Sequence, residues 1–284
     1  MKRSVVIIQA RMGSRRLRGK VLLPVGDETV ISLMLARVKK AKKIAEIIIA
    51  TTSKKADDIL CNEAEKLGAT VFRGQEDDVL DRFYQAAKDS NADVVVRLTA
   101  DCPLIDGCLI DTALEEFSSG AYDYFSNVIE RSFPDGLDIE IFSMETLRSA
   151  AHECKDEWSR EHVTPYMRTG SDLRVAVGDY RVGHLRAKSD FSHLRWTLDT
   201  ASDYEFLCAI SKHNIRDLGW LDIVSLLTQN SDLLMWNRGI TERQLHHEET
   251  NHWSHAGFQK STEHLSRALK SIPVGSQTFS KSYL

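Results

Sequence analysis

The sequence predicts an α/β protein with a mostly parallel sheet and helices on both faces. Three observations carry that prediction. Short apolar runs alternate with amphipathic segments as far as residue 117. Runs such as VVII and EIII are continuously apolar, as in buried strands. The first run empties into a cationic loop, the place where α/β proteins hold phosphate groups. A β-α-β-α order with right-handed connections leaves few other architectures.

Each element has a local reason. Residues 5–8 (VVII) form the first strand, stopped at Gln9. Residues 30–43 are amphipathic, with Ile31, Leu35 and Val38 on one side and four lysines near the end, which suits a helix C-terminus. Residues 46–50 are a buried strand, and 55–67 a helix closed by Gly68. A short strand at 70–73, a helix at 77–87, a strand at 93–98 and a helix at 107–117 complete the alternation. From Tyr122 the pattern loosens into a mixed region. Strands are expected at 138–142, 173–177 and 195–198, and helices at 144–152, 161–168, 203–213 and 220–229. Residues 1–232 read as one domain. Residues 233–284 read as a C-terminal extension or linker, with a histidine cluster whose spacing fits no tight zinc set.

Bulk composition excludes several classes. Net charge is −4 over 284 residues, so bulk charge does not favour nucleic acid. No apolar stretch approaches the roughly 20 residues of a membrane span. The N-terminal apolar run is too short for a signal-peptide core. Five cysteines without CxxC spacing suit a reducing cytoplasm and neither a disulfide framework nor structural zinc.

Against this acidic background the loop 11–20 stands out. It holds Arg11, Arg15, Arg16, Arg18 and Lys20, two glycines and no acid. Gly13 and Gly19 are separated by five residues and Lys20 is followed by Val21, so the GxxxxGK[ST] ATPase loop is excluded. GxGxxG is absent as well. A solvated basic turn is one reading; the cationic density and the place after the first strand favour a phosphate site, in which Arg forks match phosphate oxygens. Asp101 and Asp199 each follow a strand-like run, which puts both at the carboxyl edge of the sheet. Asp199 is equally placed to cap a helix starting at 200–203. Asp138 and Glu140 alternate after the turn Pro134-Asp135-Gly136 and share one strand face. Thr51, Arg82 and Arg97 lie near the ends of other elements. His162 reads as a structural residue.

QARMGSxRLxGKVL resembles the signature of the CMP-sugar synthetase-like cytidylyltransferases, in particular the SpsF-like branch of spore-coat polysaccharide synthesis. GQEDDVLDRF, VVVRLTADCPLID, FPDGLDIEIF, REHVTPY and RWTLDTASDYE resemble later blocks of that branch, in the same order. The family usually has a small Thr or Ser at Arg15 and Pro at Arg18. The resemblance implies a doubly wound, nucleotide-diphospho-sugar transferase-like fold with a smaller acceptor-binding region. It implies CTP as donor and Mg²⁺ as cofactor. Arg11, Arg16 and Lys20 would contact the triphosphate. Gly13, Ser14, Thr51, Arg82 and Arg97 would surround the nucleotide. Asp101 and Asp199 would hold the metal, and Asp138 would serve the acceptor. The expected partners are CTP and a small-molecule acceptor, with no nucleic acid and no membrane, and with a homodimer as the open assembly state. The last twenty residues weakly resemble the opening of glutamate-1-semialdehyde aminomutase-type aminotransferases. No pyridoxal phosphate chemistry is expected here. Two other readings fit a nucleotide-binding α/β chain: a glycosyltransferase using a finished nucleotide sugar, and a nucleotide-binding module without turnover. The absence of a DxD pair counts against the former.

Overall fold

The computed structural model describes residues 2–14, 16–168 and 180–235. The chain opens with β1 (Ser4–Gln9), a small hairpin of β2 (Pro24–Val25) and β3 (Glu28–Thr29), and α1 (Val30–Val38). It continues through β4 (Glu46–Thr52), α2 (Asp58–Lys66), β5 (Thr70–Gly74), α3 (Val79–Asp89), β6 (Val94–Thr99) and α4 (Gly107–Gly120). Then come β7 (Tyr124–Ser126), β8 (Glu140–Ser143), α5 (Met144–Glu153), α6 (Glu157–His162), β9 (Val182–His184), α7 (Ala201–Ser211) and α8 (Trp220–Gln229).

Seven strands form the main sheet in the order β5-β4-β1-β6-β8-β7-β9. The first four are parallel, and β8 runs antiparallel to both β6 and β7. The expected mostly parallel, doubly wound sheet with a mixed region is therefore what the chain forms. Side chains of β1 alternate between two apolar layers: Val6 and Ile8 face α1, α2 and α4, while Val5 and Ile7 face α3 and α5. All four are fully buried, so the continuous apolar run follows from a sheet covered on both faces. The chain reverses direction across the sheet at β1, with β4 on one side and β6 on the other. The crevice outside the carboxyl ends at such a switch point is where α/β ligands bind. There Gln9 pairs in register with Thr99.

Several boundaries differ from expectation. The helix expected over 30–43 ends at Val38, because Lys42 and Lys43 turn their amides to the Asp111 carboxylate. The helix expected over 161–168 starts earlier, where Asp156 caps the Ser159 amide, and stops at His162. Pro165 lacks an amide hydrogen and opens a separate 3-10 turn. Residues 195–198 form no strand. They run extended and make one parallel bridge, Asp135 to Arg195. The strand expected at 173–177 and residues 236–284 lie outside the described residues. Among the described residues, no helix is long and apolar enough to cross a membrane.

Candidate active site

The basic loop is pinned at both ends. Buried Asp57 accepts the Met12 amide at 2.7 Å and the Thr52 amide at 3.2 Å, tying the loop start to the end of β4. The Gly19 amide then donates to the Met12 carbonyl at 3.1 Å, closing the loop into a ring. Gly19 sits at φ 68°, a conformation glycine adopts without steric cost, and this turn delivers Lys20 into the interior.

Lys20 is only 9% exposed, and its Nζ meets three oxygens. It donates to Asp101 Oδ2 at 3.1 Å, Asp199 Oδ1 at 2.9 Å and the Leu198 carbonyl at 2.8 Å. Arg16 reaches the same Asp199 oxygen at 3.1 Å. Three elements converge here: the basic loop, the turn after β6 and the segment before α7. The Leu198 amide donates to the Asp101 carbonyl at 2.7 Å, which locks the last two together. Asp199 is free to join because Thr200, not Asp199, caps α7, in a reciprocal capping box with Asp203.

Burial drives the Asp101 carboxyl upward, but Lys20 and the Thr99 hydroxyl outweigh it and hold the group at about 2. Burial likewise opposes the Lys20 charge, yet Asp101 and Asp199 raise its pKa above the usual lysine value. Asp101 and Lys20 are therefore both charged at neutral pH.

Beside it lies a cavity of about 120 Å³ lined by Arg97, Thr99, Arg131, Asp138, Glu140 and Arg168, among others. Glu140 is 3% exposed and accepts from Arg97, from Tyr124 and Thr164 hydroxyls at 2.6 Å each, and from Arg168 at 2.6 Å. Burial raises its pKa, but Arg97 and Arg168 bring it well below the carboxylate range. Thr164 is aimed by a γ-turn: Val163 stands at φ 71°, and the Thr164 amide donates to the His162 carbonyl at 2.8 Å. Asp138 receives both Arg131 donors, at 3.2 and 3.3 Å. Its pKa is nonetheless raised, because burial, with Glu140 and Asp101 nearby, outweighs Arg131. Asp135 rises to about 6, chiefly through burial and then the Asp138 charge. Arg195 links this turn to the cation cluster, bonding Asp135 at 3.0 Å, Asp203 at 2.9 and 3.0 Å, and approaching Asp199 at 3.5 Å.

A second, larger cavity of about 830 Å³ opens between the basic loop, the segment after β5, and α6. Arg11, Gly13 and Arg82 line it, with Gln9, Glu76 and Trp158 among the other walls. Its size suits a nucleotide-scale ligand. Arg11 pairs with Glu76 at 3.0 Å across it. Arg82 is 1% exposed and donates to the Gln75 carbonyl at 2.6 Å.

The structure thus brings Arg16, Lys20, Asp101 and Asp199 into one cluster, with Asp138 beside it. Arg11, Gly13 and Arg82 face the larger cavity. Arg97 lies in the smaller one, against Glu140. Ser14 is half-buried in the loop, and Thr51 is buried at the end of β4, where its hydroxyl has no hydrogen-bond partner. Arg131, Arg168 and Arg195 escaped the sequence reading. Arg195 stands in the RWTLD block, which is the signal that could have found it. Arg131 and Arg168 stand in loops without periodicity.

Comparison with known proteins identifies the family. The cytidylyltransferase family model matches residues 5–232. A protein of Methanocaldococcus jannaschii is 37% identical over 240 residues, covering 84% of this chain and 95% of its own. The spore coat polysaccharide biosynthesis protein SpsF of Bacillus subtilis is 36% identical over 237 residues, covering 80% of this chain and 94% of its own. A cytidylyltransferase structure from Leptospira borgpetersenii superposes with a TM-score of 0.79 at 34% identity, covering 85% of this chain and 100% of that one. A CMP:2-keto-3-deoxy-manno-octonic acid synthetase bound to CTP shares the fold, with a TM-score of 0.54 at 15% identity over 75% of this chain and 99% of that one. With its loop, its acidic pair and its switch-point crevice in place, the chain belongs to the cytidylyltransferase family and is a CTP-dependent nucleotidyltransferase.

Proposed function

We propose that the enzyme transfers CMP from CTP to a small acceptor bearing an anionic group, with release of pyrophosphate. The acceptor is a sugar acid or a phosphorylated or phosphonate compound. The observation that carries this is the adjacency of the Lys20–Asp101–Asp199 cluster and the arginine-lined cavity containing Asp138. Arg97, Arg131 and Arg168 give that cavity three guanidinium groups against two carboxylates, which suits an anionic acceptor. The name of the SpsF relative supports a place in surface-polysaccharide synthesis.

Asp101, Asp199 and the Leu198 carbonyl gather hard oxygens around one cationic point, a donor set that fits Mg²⁺. Among the described residues no group of three or more His, Cys, Asp or Glu could hold a metal. An ion at this point would be held by one or two carboxylates together with substrate phosphates. When bound, Mg²⁺ supplies charge neutralisation at the phosphates. Arg11, Arg16 and Lys20 bind the triphosphate and stabilise the leaving pyrophosphate as charge builds on it. An acceptor oxygen attacks the α-phosphorus in line, and the bond to the β-phosphate bridging oxygen breaks. Asp138 takes the proton of a hydroxyl acceptor, a task its raised pKa favours. Positioning and electrostatics carry the rate.

Pyrophosphate release from each of the four nucleoside triphosphates, against a panel of acceptors, tests the reading. Release requiring both CTP and an anionic acceptor is the expected result. Consumption of a nucleotide sugar without pyrophosphate points instead to a glycosyltransferase, and binding without turnover to a nucleotide-binding module. Lys20→Ala is expected to lower kcat by about 10²–10³, the scale of losing one donor to a developing anion. Turnover within a few-fold of wild type would exclude the loop from the chemistry.

A further inference from the structure

We infer that Lys20 holds the cation seat of the nucleotide-free enzyme, so that divalent metal enters only together with the nucleotide. The inference rests on assigning the metal to Asp101 and Asp199. Its starting point is the geometry of a single ammonium. Lys20 Nζ lies 3.1 Å from Asp101, 2.9 Å from Asp199 and 2.8 Å from the Leu198 carbonyl. These are the oxygens that would face a metal.

Two carboxylates held this close repel unless a cation stands between them. Here the cation is covalently attached. The side chains of Lys20 and Asp199 are 11% and 13% exposed, so the pair is poorly screened by solvent. Free metal arriving alone must evict the ammonium, which strands a buried charge without a partner. A triphosphate changes that balance. Its oxygens offer Lys20 a new partner as the metal takes the carboxylates, and no charge is left alone. The species admitted is therefore the metal–nucleotide complex. Metal and nucleotide binding are coupled, and by linkage each tightens the other by the same factor.

The experiment uses the full-length enzyme without acceptor, so that CTP is not consumed. Mn²⁺ is the probe, followed by electron paramagnetic resonance, with CTP affinity measured by calorimetry. Two variants are compared with wild type. Lys20→Met removes the charge. Lys20→Gln removes the charge but keeps an amide donor for the carboxylates, which preserves the loop if Lys20→Met fails to fold. The expected result is that either variant binds Mn²⁺ without nucleotide at least tenfold more tightly than wild type. The factor by which CTP tightens Mn²⁺ is also expected to fall at least tenfold. Mg²⁺ should raise the melting temperature of the variants and leave that of nucleotide-free wild type unchanged. Equal Mn²⁺ affinity in nucleotide-free wild type and Lys20→Gln overturns the inference while leaving the metal assignment standing. Failure of the Asp101→Asn, Asp199→Asn double variant to weaken Mn²⁺ binding in the presence of CTP overturns the metal assignment itself.

Discussion

Glu140 shows how one residue organises its surroundings. Four donors surround its carboxylate, two of them guanidinium groups. Removing a buried charge from such a set leaves its partners unpaired, at a cost of about 3–5 kcal/mol. Glu140→Gln is therefore expected to lower the melting temperature by on the order of 10 °C at neutral pH. The folded pKa lies below the unfolded one, so this stabilisation is complete above the unfolded carboxylate value and is lost as pH falls toward the folded value. Urea titrations of wild type and Glu140→Gln should differ most at neutral pH and converge only in acid, below about pH 4. Asp138 has the opposite shift. A base with a raised pKa loses function as pH drops through it, so kcat/KM should show an acid limb lying above the ordinary aspartate range of about 3.9. Asp138→Asn should abolish that limb along with most of the turnover of a hydroxyl acceptor.

At the scale of elements, the turn before β8 matters most. Gly136 stands at φ 108°, and a Cβ there would lie 2.5 Å from the Thr197 amide nitrogen and 2.6 Å from the Trp196 carbonyl carbon. Only glycine lets the Asp135–Asp138 turn press against the backbone that carries Asp199. Gly136→Ala should separate the two walls of the site and lower kcat by ~10²-fold, the effect of a displacement of about 1 Å. A crystal structure of the variant would show the shift. Asp106 caps α4 through Cys108 and Leu109, while its other oxygen accepts the Trp220 amide at the start of α8. Elements such as β1, β4 and β6 were legible because an apolar run buried on both faces has no other use. β7 (YFS) and β9 (VGH) were not, since three residues show no period and owe their pairing to distant neighbours. Asp101 was legible because it stands just past β6 at the sheet edge. Lys20 and Asp199 follow no strand directly and were legible through the sequence blocks that hold them. Arg131 and Arg168 were not, because what gives them meaning is contact with Asp138 and Glu140 across the fold.

Across the whole molecule, a buried cation on α1 fastens the connection between α7 and α8 to the loop between β6 and α4. Arg37, 2% exposed, donates to the carbonyls of Leu104, Ile105, Ile215 and Leu218. Each buried acceptor left unpaired costs about 1–3 kcal/mol, so Arg37→Met should destabilise the protein by ~3 kcal/mol or more. Denaturant unfolding followed by tryptophan fluorescence would report it, since Trp220 opens α8. The four-strand parallel core followed from pattern alone, whereas the crossing of α7 and α8 back to this core did not. Their link runs through carbonyls, which any sequence possesses. The ring formed by the basic loop has a different kind of consequence. Asp57 and the Gly19–Met12 bond clamp its two ends, so backbone contacts at residues 12 and 19 fix where Lys20 enters the site. In the sequence Arg15 and Arg18, where the chain leaves the family pattern, fall between those two clamped residues, so substitution at these two positions touches neither clamp. Such a loop is a natural place for relatives to diversify without surrendering the reaction.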